Sequence, residues 1–175
     1  MDRIGFGRGM DTLMATDMVI KEVVTDGHAE IGALFKNSDK LKDIVHQRNV
    51  WHGGKGICKK LNSASQSKGN DELGLWISAV RNHFWYCFRC CNGNVDNMKE
   101  MWISILHRVV DEHEWLLAES GGGKCAHEPL SADDRNKPWL KKNTPAHNSL
   151  REVVMDKNIL RTLSYYVNFR YFLHI

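Results

Sequence analysis

The sequence lacks any apolar run approaching the roughly 18 residues needed to cross a bilayer. Its first twenty residues mix Gly5, Gly7 and Gly9 with charges, where a secretory leader would carry an apolar stretch. These absences argue against a membrane partner and lead us to expect an intracellular, soluble protein. No charge of one sign dominates. The formal net charge is +3, too mild to imply a nucleic-acid partner by itself. No repeat recurs at any period, which excludes a solenoid. Five cysteines cannot all pair with one another. In a reducing compartment they read as free thiols or metal ligands, not as a disulfide framework.

What is present suits a folded domain. The 175 residues are 42% hydrophobic and 26% charged, enough for one core with a smaller lobe attached. Six tryptophans point to a helix-rich body packed around large aromatic anchors. Along the chain, residues 5–9 read as a flexible glycine-rich start, followed by a turn or two of helix over 10–16. The β-rich run 18–25 is stopped by Asp26-Gly27, which predicts a short buried strand ending in a turn. Ile31, Leu34 and Phe35 mark a helix over 29–35. A second strand is expected over 43–52, broken by Gly53-Gly54, with a helix from 55 to 61. Strand, helix, strand, helix is a β/α unit with parallel strands.

From Asp71 onward the pattern turns helical. Leu73, Trp76, Ile77, Val80, Phe84 and Cys87 form one stripe. A second long helix is expected to start at a cap on Asp96 or Asn97, with Glu100 completing a capping box. It carries Met98, Met101, Trp102, Ile105, Val109 and Leu116 to the glycines at 121–123. Thr144-Pro145 is an N-cap and first-turn pair. The fold class is therefore α/β plus α. A partial α/β core occupies 1–61, a helical insertion lobe 62–164, and a return toward the core 165–175.

Four constellations carry candidate chemistry. Asp26 sits at the carboxyl end of a strand, where α/β sheets place ligands, and a carboxylate there suits a hard metal. The same residue pair is also ordinary turn chemistry. Asn49 and His52 lie three residues apart beside the second strand, as do Asp43 and His46. His83, Cys87 and Cys90 fall on one helix face. With His113, Cys125 and His127 they offer soft and imidazole donors for a structural zinc site. Glu100, Asp111, Glu112 and Glu114 either supply a further acid or line a solvated helix face.

Several of these segments, taken in order, resemble a known family. Val24-Thr25-Asp26-Gly27-His28 and Asn49-Val50-Trp51-His52-Gly53-Gly54-Lys55 resemble the middle of cut-and-paste DNA-transposon transposases of the Kolobok, or THAP-associated, type. Asn82-His83-Phe84-Trp85-Tyr86-Cys87, His113-Glu114-Trp115, Cys125-Ala126-His127 and Tyr166-Val167-Asn168-Phe169-Arg170 are similar to further pieces of that group. The resemblance implies an RNase H-like core with an Asp-Asp-Glu triad. That triad holds two magnesium ions for DNA strand cleavage and transfer.

On this resemblance Asp26 is the second acid and a magnesium ligand, and His28 and His52 shape the site. Asn49 stands where the family carries Asp. The first acid would lie upstream of this chain and the third beyond it. The expectation is thus an interior fragment without autonomous nuclease activity, a pseudoenzyme that contacts DNA in the nucleus, with self-association a further candidate. The alternatives are a small zinc-stabilised module that binds nucleic acid or protein, and an active enzyme drawing its acid from Glu112 or Glu114.

Overall fold

A computed structural model describes residues 3–115, 123–125, 130–131 and 136–168. Among the described residues the chain is mixed α/β and mostly helical, with one two-stranded parallel sheet. It divides into two compact units, Met1–Gly53 and Gly54–Ile175.

The first unit opens with α1 (Arg3–Met14), which runs through the glycines where a flexible start was expected. Phe6 and Met10 are spaced i, i+4 and both buried. They pack with Ile31 and Leu41, against which Ile20, Val23, Leu34, Phe35 and Ile44 close the core. Burial of that stripe outweighs the propensity cost of about 1 kcal/mol per glycine. Strand β1 (Glu22–Thr25) starts later than the β-rich run suggests, leaving Met18 and Val19 exposed. Helix α2 (Ala29–Asn37) and a 3₁₀ turn (Asp39–Leu41) lead to β2 (Val45–Arg48). The strands pair in parallel, Glu22 against Val45 through Thr25 against Arg48. This is the expected β/α crossover.

Helix α3 (Val50–Ser65) corrects the reading of Gly53-Gly54 as a break, because the helix runs straight through both. A Cβ on Gly54 would meet Trp85, Arg81 and Phe84 at 3.7–3.8 Å. The glycine therefore permits close packing against the next helix, α4 (Asp71–Cys90).

In the second unit, Leu73, Val80, Phe84 and Cys87 of α4 are fully buried, together with Leu61 from the later turns of α3. Also buried are Met98 and Trp102 of α5 (Val95–Ile103) and Leu150 and Val154 of α7 (Pro145–Val154), two helices that pack on α4. Trp102 is 0% exposed. Its indole N–H donates to the Val154 carbonyl at 3.0 Å, and Phe84 meets it edge-on at 5.7 Å. Thr144 caps α7 with Pro145 in its first turn, as the sequence indicates. A short helix, α8 (Lys157–Thr162), and a 3₁₀ turn (Leu163–Tyr166) follow.

The long helix expected from 96 onward is cut short. Ser104 interrupts it, its hydroxyl donating to the Met101 carbonyl at 2.7 Å, and α6 (Ile105–Arg108) adds one further turn. The chain then leaves helical geometry at Asp111, whose φ is +60°. The Glu112 N–H reaches back to the His107 carbonyl, closing the helix end in the manner of a Schellman cap. Beyond it, residues 113–115 lie antiparallel to 123–125.

The cap of α5 is also two or three residues earlier than the expected Asp96 or Asn97. Asn94 accepts from the N–H groups of both Asp96 and Asn97 at 2.9 Å. Asn94→Ala is expected to cost about 1 kcal/mol of stability and Asn94→Asp to cost little, read from urea unfolding midpoints.

Candidate functional site at the carboxyl edge of the sheet

The parallel register places Asp26 and Asn49 immediately after paired residues, Thr25 and Arg48. Both therefore emerge at the same end of the sheet, the carboxyl end. The Asn49 N–H extends the ladder by one bond, donating to the Thr25 carbonyl at 2.6 Å. Asp26 then enters a tight turn. Its Oδ1 accepts from the His28 N–H at 3.2 Å, and Gly27 adopts φ +89°, which favours glycine. The Arg48 side chain passes close enough that a Cβ on Gly27 would lie 3.4 Å from it. Asp26, His28, Asn49 and His52 are all exposed.

A second layer holds this turn. Thr25 Oγ1 and His46 Nε2 share a hydrogen bond of 2.8 Å, and the Gly27 N–H donates to the same hydroxyl at 3.4 Å. The His46 ring stacks on Phe35, with centroids 4.2 Å apart and planes 5° apart. Burial, and then the nearby Arg48 charge, hold the His46 pKa below its ordinary value. The sequence set His46 beside the second strand three residues from Asp43, and its role here is to brace the strand from which Asp26 departs.

Asn49 has a defined duty. Its side-chain oxygen accepts from the Trp51 N–H at 2.9 Å and caps α3. An aspartate here would make the same cap; the asparagine makes it without a charge.

The donor set does not fit a two-magnesium centre. Of the carboxylates flanking the two strands, Asp26 alone follows a carboxyl end, while Glu22 opens β1 and Asp43 precedes β2. One carboxylate with an amide and two imidazoles is too weak a set to hold two hard cations.

The zinc donors are also dispersed. Cys87 is fully buried, and burial pushes its thiol pKa far up. Cys90, three residues on, is exposed. His83 sits on the same stripe but is committed to the core. It is 6% exposed and its Nε2 donates to the Met101 carbonyl at 2.7 Å. His113 and Cys125 do come to facing positions, since the Cys125 N–H donates to the His113 carbonyl at 2.8 Å. The His113 imidazole, however, is engaged by Asp111 at 3.1 Å. His127 lies outside the described residues. Among the described residues no three His, Cys, Asp or Glu side chains converge as a metal set.

A polar cluster escaped sequence reasoning. The His107 ring lies parallel to Trp115 at 5.0 Å, with its Nδ1 3.1 Å from Glu112. Glu112 also pairs with Lys142. Hydrogen bonds from Lys142 and then His107 hold the Glu112 carboxyl below the usual range. Lys142 follows Glu112 by a long stretch of chain, so no local pattern pairs them. Glu114 is exposed in the antiparallel segment. A cleft of about 400 Å³, lined by Lys60, Ser63, Ser67, Glu152 and Asp156 among others, contains none of the sequence-predicted site residues.

No family model, curated protein or solved structure matches the chain. Among the described residues, no helix is long and apolar enough to cross a membrane.

Proposed function

We propose that the chain is a transposase-derived, RNase H-like protein, related to two-metal DNA strand cleavage and transfer but without nuclease activity of its own. It contacts DNA and works in the nucleus. One observation carries this reading. Asp26 and Asn49, which lie in the segments that resemble transposase motifs, each follow the last paired residue of their strand at one end of a parallel pair, with His28 and His52 just beyond, and turn and cap bonds hold Asp26 and Asn49 in place. That is the end at which open α/β sheets bind ligands. The single carboxylate there argues against unaided cleavage.

The test is incubation with magnesium and end-labelled DNA. The expected result is salt-sensitive binding that leaves the strands intact. Strand cleavage that disappears in Asp26→Ala sinks the reading, and so does the absence of any salt-sensitive association.

A further inference from the structure

Three of the five cysteines fall together at the end of α4, and the packing treats each differently. Cys87 is fully buried on the apolar stripe. Cys90 is exposed, as the last residue of the helix, and Cys91 is buried at its C-cap. Cys58 and Cys125 are half-buried elsewhere, and none of the five is in a disulfide.

Helix geometry decides which thiols can meet. Residues three apart on an α-helix have Cα atoms about 5 Å apart, inside the roughly 4.4–6.8 Å span of disulfides. Cys87 and Cys90 stand in that relation. Cys90 and Cys91 are adjacent, and Cα atoms across a trans peptide lie about 3.8 Å apart, below that span. The Cys91 S–H is also committed inward, toward the Phe88 carbonyl at 3.4 Å and the Val167 carbonyl at 3.9 Å. The Tyr86 side chain hydrogen-bonds to Cys90, and a hydroxyl donor there favours the thiolate. Cβ atoms one turn apart stand about 5–6 Å from each other, about 1–2 Å more than a disulfide permits. The terminal turn can close that gap. It is held by the Cys91 N–H on the Cys87 carbonyl at 2.9 Å, and the chain leaves helical geometry just beyond, at Asn92 and Gly93 with φ +53° and +76°.

We propose that Cys90 and Cys87 form a peroxide-responsive thiol–disulfide switch at the end of α4. The Cys90 thiolate attacks one oxygen of hydrogen peroxide. The O–O bond breaks, and the departing hydroxide takes up a proton as water, leaving Cys90 as a sulfenic acid. The Cys87 sulfur then attacks the Cys90 sulfur. The S–O bond breaks, and the second hydroxide leaves with the Cys87 proton as water. Two thiols are oxidised and one peroxide is reduced. Burial raises the Cys87 thiol pKa far above its usual value, so Cys87 is inert toward peroxide and reacts only with the electrophile formed one turn away. The bridge draws Cys87 out of its fully buried position, which makes the oxidised chain the less stable form. The switch does not depend on DNA contact.

The experiment treats the reduced full chain with a small molar excess of hydrogen peroxide and then alkylates the remaining thiols. Trypsin cuts after Arg89, between the two cysteines. The bridge therefore joins two peptides in the mass spectrum, whereas a Cys90–Cys91 bond stays within one. The expected result is the loss of two alkylatable thiols and a linked peptide pair whose fragmentation assigns the bond to Cys87 and Cys90. The thermal transition should fall by about 5 °C, and dithiothreitol should restore both thiols and transition. Cys90→Ser, at an exposed position, should fold normally and show neither the bridge nor the shift. Unchanged thiols overturn the proposal, as does a bond from Cys87 to Cys91 or from Cys90 to Cys90 of a second chain. Sulfinic acid at Cys90 with Cys87 intact does the same, and so does a bridge that leaves the thermal transition where it was.

Discussion

Trp102→Ala is expected to lower the stability of the Gly54–Ile175 unit by about 4 kcal/mol, the largest loss from any single truncation proposed for this chain. Two effects combine. The indole is completely buried and meets Phe84 edge-on, so truncation leaves a large cavity in a close-packed centre. Its N–H also satisfies the Val154 carbonyl at the end of α7, and that acceptor would be left without its donor in the interior. Domains of this size have total stabilities of about 5–15 kcal/mol. The variant is therefore expected to be marginal at room temperature. Trp102→Phe separates the two effects. It keeps most of the ring and removes the donor, so it should cost about 1–2 kcal/mol. Urea unfolding followed by circular dichroism measures both variants. A loss in Trp102→Ala below about 2 kcal/mol would show that the site collapses around the missing ring.

Acid sensitivity is the second large effect. Burial holds His83 neutral in the folded state, with a pKa lowered from 6.5 to about 4, a trend the Met101 hydrogen bond only partly opposes. Between those values the unfolded chain takes up a proton that the folded chain refuses. Stability therefore rises with pH through that window and is lost as pH falls from about 6.5 toward 4. At 1.36 kcal/mol per unit, the full loss is about 3 kcal/mol, of which about 2 falls between pH 6.5 and 5, before most carboxylates titrate. His46 and His147 are shifted in the same direction, mainly by burial, and add to the slope. Below that range the lowered carboxyls of Glu112 and Asp156 add further loss. His83→Gln keeps an N–H donor near the Met101 carbonyl and removes the titration. Its unfolding midpoint should fall less steeply between pH 6.5 and 5 than that of the unsubstituted chain. An equal slope would place the acid sensitivity elsewhere.

The same histidine shows where sequence reading stops. His83, Cys87 and Cys90 share helical spacing, and spacing alone cannot distinguish a ligand face from a core face. Tertiary packing decides it, because α5 brings the Met101 carbonyl against His83 and the buried stripe of α4 takes Cys87 with it. The early end of the α5–α6 segment is similar. Apolar periodicity continues to Leu116, yet the chain turns at Asp111, where the Glu112 N–H closes on His107 and Lys142 arrives to pair with Glu112. Neither glycine nor proline marks the stop, and the residue that helps hold it is distant in sequence.

By itself the sequence determined the features that depend on near neighbours. These are the short strands with helices between them, the Asp26-Gly27 turn, the Thr144-Pro145 helix start and the apolar stripe of α4. Their signals are local because dihedral preference, capping and periodic burial act within a few residues. Only the tertiary structure decided that α1 and α3 continue through their glycines. There, burial of Phe6 and Met10 and close packing at Gly54 outweigh a backbone preference of about 1 kcal/mol per residue. It also decided the candidate site. Asp26 and Asn49 are far apart in the chain, and it is the parallel register of β1 on β2 that brings them, with His28 and the exposed Trp51, to one edge.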